Sequence, residues 1–394
     1  MENVVKKGQQ RFYVLSVDLI QAIFLFWFVS GHTCLWWDHT IETRYPDVPL
    51  VVFLFITFAL IVPPGFLFLY SFNTVNSLLR KKSIEERKES RSRLLRRGLI
   101  FFFIAELAEV STALITSPNY LLNSFFTWEL FHQFAFSTLF ILLLFEIAWL
   151  IERYNNWSYQ KICIAEFIVC FSIILAIYLV FHDYTQTKKI EGLFVNLELK
   201  SILERALFES GQAPIIPFLL FSLQGGFLAL FLDLPNEQRR TTNIKAKFVI
   251  ISGIVLFIIG ILSLSIEKYV SPVMYYPASS PVVFISLGVI PLGVILLIYL
   301  LDINSLYSRR SIHKLLAPFV LVSKITLTVY IVHNLAYIIP PDTKIVQFLI
   351  TDIHIALGVG VIYSIFFIFI AYLWQKWSFR YSIEWVIWKL QNSK

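Results

Sequence analysis

The stretch FVIISGIVLFIIGILSLSI (residues 248–266) decides the fold class, because its nineteen consecutive residues include no charged side chain. A helix of about 20 residues crosses the roughly 30 Å of hydrocarbon in a bilayer. The apolar residues form a continuous run and do not alternate with polar ones, which excludes the strands of an outer-membrane barrel. The stretch therefore predicts a membrane-spanning helix, in which each backbone N–H and C=O group is satisfied within the segment.

The same criterion predicts ten spans that form one polytopic, all-α helical bundle over residues 1–394. The spans are predicted at residues 14–36, 49–73, 98–116, 127–150, 161–182, 213–233, 248–266, 282–302, 319–340 and 347–373. The first run follows basic residues, as a signal peptide does, but it contains Asp18 and has no small-x-small cleavage site. We therefore expect it to be a retained span.

The composition excludes several classes of protein. Of the 394 residues, 57% are hydrophobic and only 15% are charged, which excludes a soluble enzyme, a disordered tail protein and a collagen-like fibre. The net charge of +7 does not indicate nucleic-acid binding, because the basic residues lie between apolar runs. Cys34, Cys163 and Cys170 are too few and too far apart for a disulfide framework or a structural zinc site, and no metal is expected.

The distribution of Lys and Arg predicts the orientation of the bundle. With the N-terminus inside, the inner segments hold 25 of the 33 basic residues and the outer loops hold 7. This bias places both termini in the cytoplasm. Residues 1–13 are then a cytoplasmic N-terminus, 74–97 a basic cytoplasmic segment and 374–394, with four tryptophans, an interfacial helix.

The basic run RKKSIEERKESRSRLLRR (residues 80–97) allows two interpretations. It is typical of a topology-setting segment beside anionic lipid headgroups, predicted as a helical extension between spans two and three. Alternatively, its arginines dock a phosphorylated cofactor, since guanidinium groups match phosphates. Both alternatives stay open on the sequence.

Ionisable residues at membrane depth are costly, so each indicates a function or a partner. They form two layers. The inner layer is structural in our interpretation, with Lys324 paired with Asp18, Glu146 or Glu166. The outer layer predicts a polar chamber in which a histidine exchanges protons and a carboxylate orients it. Its members are His32, Glu106, Glu109, Glu129, His132, His333 and His354.

Glycine and proline residues mark further positions inside the spans. Gly225 and Gly226 allow another helix or a ligand to approach closely. The triplet Pro63-Pro64-Gly65 is predicted either to break span two near the middle of the membrane or only to kink it.

Several segments, in the right order, resemble the membrane acyltransferases related to heparan-α-glucosaminide N-acetyltransferase. RFYVLSVDLIQAIFLFWFVSGH (11–32) resembles the opening of that family, with Asp18 and His32 fourteen residues apart. The further similar segments are PPGFLFLYSFNTVNSLLRK (63–81), RRGLIFFFI (96–104), APIIPFLLFSLQGG (213–226) and KITLTVYIVHN (324–334). The chain departs from the family where Gln21-Ala22 replaces the usual Arg-Gly.

The resemblance implies transfer of an acetyl group from cytoplasmic acetyl-coenzyme A to an amino sugar or other carbohydrate on the outer side. It implies a multi-pass protein of the cell membrane, surrounded by lipid, and is compatible with a homodimer. The catalytic candidates, which combine the resemblance with the outer layer, are His32, His39, Glu109, Glu129 and His333. The candidates for holding the coenzyme are Asp18, Arg80, Arg96, Arg97 and Arg239.

Two other functions fit the sequence. Carboxylates at membrane depth, such as Glu106 and Glu109, would suit a proton-coupled transporter or flippase without covalent chemistry. The substitution at Gln21-Ala22 would suit a catalytically silent relative of the acyltransferases.

Overall fold

The computed structural model describes ten ranges of the chain, and all regular secondary structure in them is helical. The ranges are residues 15–37, 49–81, 83–116, 130–154, 157–187, 215–233, 239–266, 280–303, 310–333 and 353–392.

The first six helices overlap the residue ranges predicted for the first six spans. They are α1 (Leu15–Trp37), α2 (Pro49–Leu79), α3 (Ile84–Thr116), α4 (Leu130–Tyr154), α5 (Tyr159–Thr187) and α6 (Ile215–Leu232). The next group is α7 (Arg239–Ser263), α8 (Ser280–Leu297) with a π-helical end at Ile298–Ile303, α9 (Arg310–Val322) and α10 (Thr326–Val332). A 3₁₀ turn at Ser323–Ile325 joins the last two, and α11 (Ile353–Trp374) and α12 (Ile383–Asn392) complete the described chain.

Seven helical stretches of the described chain are long and apolar enough to cross a membrane, judged by length and composition. They are Leu130–Tyr154, Tyr159–Val180, Ile215–Leu232, Thr242–Ser263, Ser280–Asp302, Lys314–Val332 and Gly358–Trp377. Many of their large apolar side chains are exposed on the bundle surface, where lipid would cover them. These features support an integral multi-pass membrane protein.

The basic segment forms a helical extension, as predicted. Helix α3 begins at Ile84 and continues without interruption to Thr116. Its start carries a capping box, because the Glu86 N–H donates to Ser83 Oγ (3.1 Å) and the Ser83 N–H donates to Glu86 Oε2 (3.3 Å).

The predicted break of span two is wrong. Helix α2 stays helical through Pro63 and Pro64, although each proline lacks the N–H that would bond one turn earlier. Packing fixes this part of the helix, since Phe66 is buried just beyond the prolines. A Cβ atom on Gly65 would lie 2.3 Å from Phe24 Cε2. The triplet therefore brings α1 and α2 into close contact and does not break the helix.

The prediction that Gly225 and Gly226 allow close approach is confirmed. A Cβ atom on Gly225 would lie 2.1 Å from the Phe68 carbonyl oxygen of α2, and one on Gly226 would lie 2.3 Å from the Phe167 ring of α5. Helix α6 therefore packs tightly between α2 and α5, and its residues are almost all buried.

We call the end of the bundle where α1 begins and α2 ends the inner end, because the charge bias predicts that it faces the cytoplasm. Lys324 pairs there with Asp18, one of the three predicted partners. Glu146 instead forms an ion pair with Arg91, in which Arg91 Nη1 lies 3.3 Å from Glu146 Oε2. Asp302 caps α1 by accepting hydrogen bonds from the first two N–H groups of that helix, at 3.0 and 3.2 Å.

Arg87 of the basic segment joins three helices. Its guanidinium group donates to Glu152 of α4 at 3.0 Å and lies 4.8 Å from the centre of the Tyr159 ring of α5. A cation–π contact of this kind adds to the ion pair. Arg87 is therefore committed to holding the inner ends of α3, α4 and α5 together.

Candidate functional site

A cavity of about 330 Å³ lies in the inner half of the bundle, between α1, α2, α3, α4, α10 and α12. Its lining combines a polar mouth with an aromatic end. The described lining residues are Gln21, Phe66, Tyr70, Asn73, Thr74, Ser77, Arg97, Phe101, Leu130, Phe134, Ser323, Thr326, Leu327, Tyr330 and Glu384. A cavity that combines polar groups at its mouth with an apolar interior is typical of a small-molecule site.

A contact between the rings of Tyr70 and Phe101 shows which residues of α2 and α3 lie at the same level along the cavity. Tyr70 of α2 and Phe101 of α3 have ring centroids 5.7 Å apart, so these residues lie at the same level. The two helices are antiparallel, and one turn toward the inner end brings α2 to Thr74 and α3 to Arg97. With 1.5 Å of rise per residue, both lie about 6 Å closer to the inner end than the rings.

One wall is a polar row on α2, formed by Asn73, Thr74 and Ser77. Asn73 and Ser77 are exposed at the mouth, whereas Thr74 is 3% exposed. Thr74 Oγ1 is buried and has no hydrogen-bond partner among the described residues. A threonine within a helix commonly donates to the carbonyl one turn earlier, as Thr138 does to the Phe134 oxygen at 2.6 Å. The Thr74 hydroxyl is therefore available to a ligand.

Arg97 is the basic residue of the cavity wall. Within the described part of the chain it takes part in no hydrogen bond or ion pair. Other arginines of α3 are engaged, since Arg87 binds Glu152 and Arg93 binds Glu89. A guanidinium group that faces a cavity and is not paired with a described acidic residue is suited to bind an anionic ligand.

Helix α12 closes the opposite wall through Glu384. The Glu384 carboxylate accepts hydrogen bonds from the N–H groups of Leu327 (2.5 Å) and Thr328 (3.1 Å) and from the Thr328 hydroxyl (2.6 Å). The Thr328 hydroxyl also accepts from the Ile383 N–H at 2.8 Å. Burial raises the pKa of Glu384 above its usual range, against the opposing effect of these hydrogen bonds.

The deep end of the cavity is aromatic. Phe66, Phe101 and Phe134 converge there with Tyr70, whose hydroxyl hydrogen-bonds to Thr138 Oγ1 at 2.5 Å. Tyr330 closes this end from α10. Such an end favours an apolar or uncharged group over a charged one.

His333 lies directly behind Tyr330. The two ring centroids are 5.7 Å apart, and the Phe28 ring lies 4.7 Å from His333. His333 is 1% exposed and therefore stands one turn beyond the deep end without lining the cavity. Among the catalytic candidates, it is the one with a described side chain.

A pair of titratable residues, a buried histidine and a partly buried glutamate, joins α3 to α4. His132 Nε2 and Glu106 Oε1 are 3.2 Å apart, and His132 is 1% exposed. Glu106 Oε2 is buried and has no hydrogen-bond partner in the described part of the structure. Phe101 of the cavity wall precedes Glu106 on α3 by five residues, so Glu106 lies outward of Phe101 on that helix.

The remaining candidates are only partly described. His32, Glu109, His354 and Arg239 belong to helices, but their side chains fall outside the described part of the structure. His39 and Glu129 lie outside the described residues altogether. The predicted chamber of histidines stays a prediction, and none of the described residues that line the cavity is a histidine.

Of the residues predicted to hold the coenzyme, Arg97 lines the cavity, whereas Asp18 forms an ion pair with Lys324. Arg96 lies next to Arg97 on α3, and its guanidinium group donates to Ser92 Oγ at 3.1 Å. Arg80 ends the turn after α2 and does not line the cavity.

Neither the polar row on α2 nor the role of Glu384 was predicted from the sequence. The signal for the row was present, because polar residues at positions 73, 74 and 77 interrupt an apolar helix on one face. Glu384 carried no such signal, since an acidic residue in an interfacial helix is ordinary.

No protein-family model and no curated protein sequence matches this chain. The family resemblance of the segments quoted above therefore stays a resemblance.

Proposed function

We propose that this protein is a ten-span acyltransferase of the cell membrane with both termini in the cytoplasm. It moves an acetyl or other short acyl group from cytoplasmic acyl-coenzyme A to an amino sugar or other carbohydrate on the outer side. The observation that carries the proposal is the cavity with Arg97 at its polar mouth and an aromatic deep end beside His333.

Arg97 supplies the contact for the anionic part of the donor. Arg97 lies where the basic segment 74–97 meets the apolar part of α3, and it forms no ion pair with a described residue. The diphosphate of coenzyme A provides a negative charge in a geometry that a guanidinium group matches. Glu384 also lines the cavity, but its carboxylate is directed toward α10, where it accepts hydrogen bonds from the Thr328 N–H and hydroxyl groups.

The deep end receives the thioester. Phe66, Phe101 and Phe134 exclude water and accommodate a small acyl group. Tyr330 lies at the boundary, with His333 on its far side and the helix that carries His32 packed against α10. The proposal therefore places the donor on the inner side of this boundary and the acceptor on the outer side.

The reaction needs one base and one acid. A histidine, with His32 as the main candidate, removes a proton from the acceptor amine as the nitrogen attacks the thioester carbonyl carbon. The C–S bond then breaks, and the departing thiolate takes the proton back from the imidazolium. The products are the acylated acceptor and free coenzyme A.

Binding of coenzyme A to purified protein in detergent tests the proposal, measured by calorimetric titration. Charge-assisted hydrogen bonds contribute about 1.5–3 kcal/mol, so Arg97→Gln should weaken binding by about 10- to 150-fold. Arg93→Gln is the matched control, because Arg93 binds Glu89 on the exposed face of α3. Equal affinity in wild type and Arg97→Gln would refute the role of Arg97.

Transfer itself is tested with labelled acetyl-coenzyme A and a panel of amino sugars in proteoliposomes. Wild type should acetylate at least one acceptor, and His32→Ala should abolish the product. His333→Ala should reduce the rate while leaving coenzyme A affinity unchanged. Undiminished transfer by His32→Ala would remove the histidine from the base role.

One observation favours a second candidate, a proton-coupled transporter. The buried Glu106–His132 pair could exchange protons at membrane depth. Amino-sugar flux driven by a pH gradient in vesicles, without coenzyme A binding, would support the transporter over the acyltransferase.

A further inference from the structure

We infer that the polar row on α2 (Asn73, Thr74 and Ser77) binds the amide-containing pantetheine arm of the acyl donor. The inference rests on the proposed function and adds positioning residues to it. The row stands opposite Arg97 and leads from the mouth toward the aromatic end.

The dimensions of the row fit an extended chain. Ser77 and Phe66 are eleven residues apart on α2, which corresponds to about 16 Å along the helix axis. Arg97 and Thr74 lie at the same level, about 6 Å inward of the rings of Tyr70 and Phe101. A ligand whose charged end lies at the mouth must therefore pass the row before its far end reaches the aromatic residues.

The chemistry of the row fits amides better than charges. An amide placed in an apolar bundle needs partners for both its N–H and its C=O group. A carboxamide and a hydroxyl each offer a donor and an acceptor, and Asn73 and Thr74 supply one of each. None of the three side chains has a hydrogen-bond partner among the described residues, and Thr74 Oγ1 is also buried. A buried hydroxyl left in this state indicates a ligand or ordered water as its partner.

Two probes distinguish the contribution of the polar row to binding from the contribution of Arg97. Acetyl-coenzyme A carries both phosphates and the pantetheine arm, whereas acetyl-pantetheine carries the arm alone. Thr74→Val and Asn73→Leu should each weaken the binding of both probes by about 5-fold, the effect of one lost hydrogen bond. Arg97→Gln should weaken only acetyl-coenzyme A and leave acetyl-pantetheine within about 2-fold of wild type.

Two control variants accompany the titrations. Thr74→Ser keeps the hydroxyl and should bind both probes like wild type. Thr242→Val makes the same isosteric change at a buried threonine of α7 outside the cavity, and it should also bind normally. Size-exclusion chromatography checks that each variant is folded.

The outcomes distinguish this inference from the proposed function. Wild-type affinity of Thr74→Val and Asn73→Leu for both probes overturns the inference and leaves the acyltransferase intact. The same is true if wild type binds acetyl-coenzyme A but not acetyl-pantetheine. If wild type binds neither probe, the proposed function fails and the inference fails with it.

Discussion

Gly225→Ala tests whether the contact between α2 and α6 fixes the wall of the cavity. The new Cβ atom would lie 2.1 Å from the Phe68 carbonyl oxygen and 2.8 Å from the Phe68 carbonyl carbon. Backbone atoms cannot rotate away as a side chain can, so the two helices must separate by about 1 Å. Overpacking of this kind costs about 1–3 kcal/mol. Because Phe68 lies between Phe66 and Tyr70, the separation should also displace the deep end of the cavity.

Gly293→Ala is the matched control, because a Cβ at that position in α8 would have no described atom within 4 Å apart from its chain neighbours and the backbone of its own helix. Both substitutions gain the same helix propensity, about 1 kcal/mol, so their difference isolates the clash. Unfolding by sodium dodecyl sulfate, followed by tryptophan fluorescence, should show Gly225→Ala to be about 1–3 kcal/mol less stable than Gly293→Ala. Equal stability of the two variants would refute the argument that the helices cannot adjust.

Three further predictions concern the polar contacts between helices. Glu106→Gln and His132→Phe should each lower the free energy of unfolding by about 1 kcal/mol, and the double variant should lose less than the sum; additive losses in the same titration would argue against the pair. Asp18→Asn should destabilise the protein by about 1 kcal/mol, and adding Lys324→Met should recover part of the loss; no recovery would mean that the ion pair contributes nothing. Burial raises the pKa of Glu384 above its ordinary 4.5, so the folded state binds the proton more tightly, and the docking of α12 should weaken as pH rises from about 4.5 through the raised pKa. Hydrogen exchange of α12, corrected for intrinsic rates, measures this effect, and Glu384→Gln should remove the pH dependence.

The approximate positions of the apolar helices could be predicted from the sequence, because a run of about 20 apolar residues is a strong local signal. Residues 161–182 and 347–373 are examples, since their predicted centres match α5 and α11. The boundaries were less predictable. Helix α9 begins at Arg310, nine residues before the predicted span, because amphipathic residues continue a helix beyond its apolar part.

The prediction at Pro63 and Pro64 failed for a physical reason that composition cannot show. Local rules treat two consecutive prolines as a break, whereas the cost of the lost hydrogen bonds is offset by packing with residues distant in sequence. Phe24 fills the space beside Gly65, and it belongs to another helix. Tertiary contacts therefore decided what the local sequence could not.

In the candidate site, too, some features could be predicted from the local sequence and others depend on tertiary contacts. Arg97 could be identified because it belongs to the basic run 80–97, whose arginines match phosphate groups. The partner of Lys324 could only be reduced to three acids, since the choice depends on which helices are neighbours. The polar row on α2 was overlooked because hydroxyl and carboxamide groups are inexpensive within helices, and their significance appears only when their partners are found to be missing.

The division of the bundle into two levels follows from the costs of burial. A charged ligand can enter from the inner end only as far as Arg97 compensates its charge, and beyond that level Phe66, Phe101 and Phe134 admit only uncharged groups. Titratable groups such as His333 and the Glu106–His132 pair lie beyond this layer. An acyl-coenzyme A thioester meets both requirements, a negative charge at the level of Arg97 and an uncharged group in the aromatic end. Its coenzyme is anionic at one end, and its acyl group is uncharged at the other. A free anionic substrate would satisfy only the first, so the proposed group transfer fits this arrangement better than passage of the whole donor.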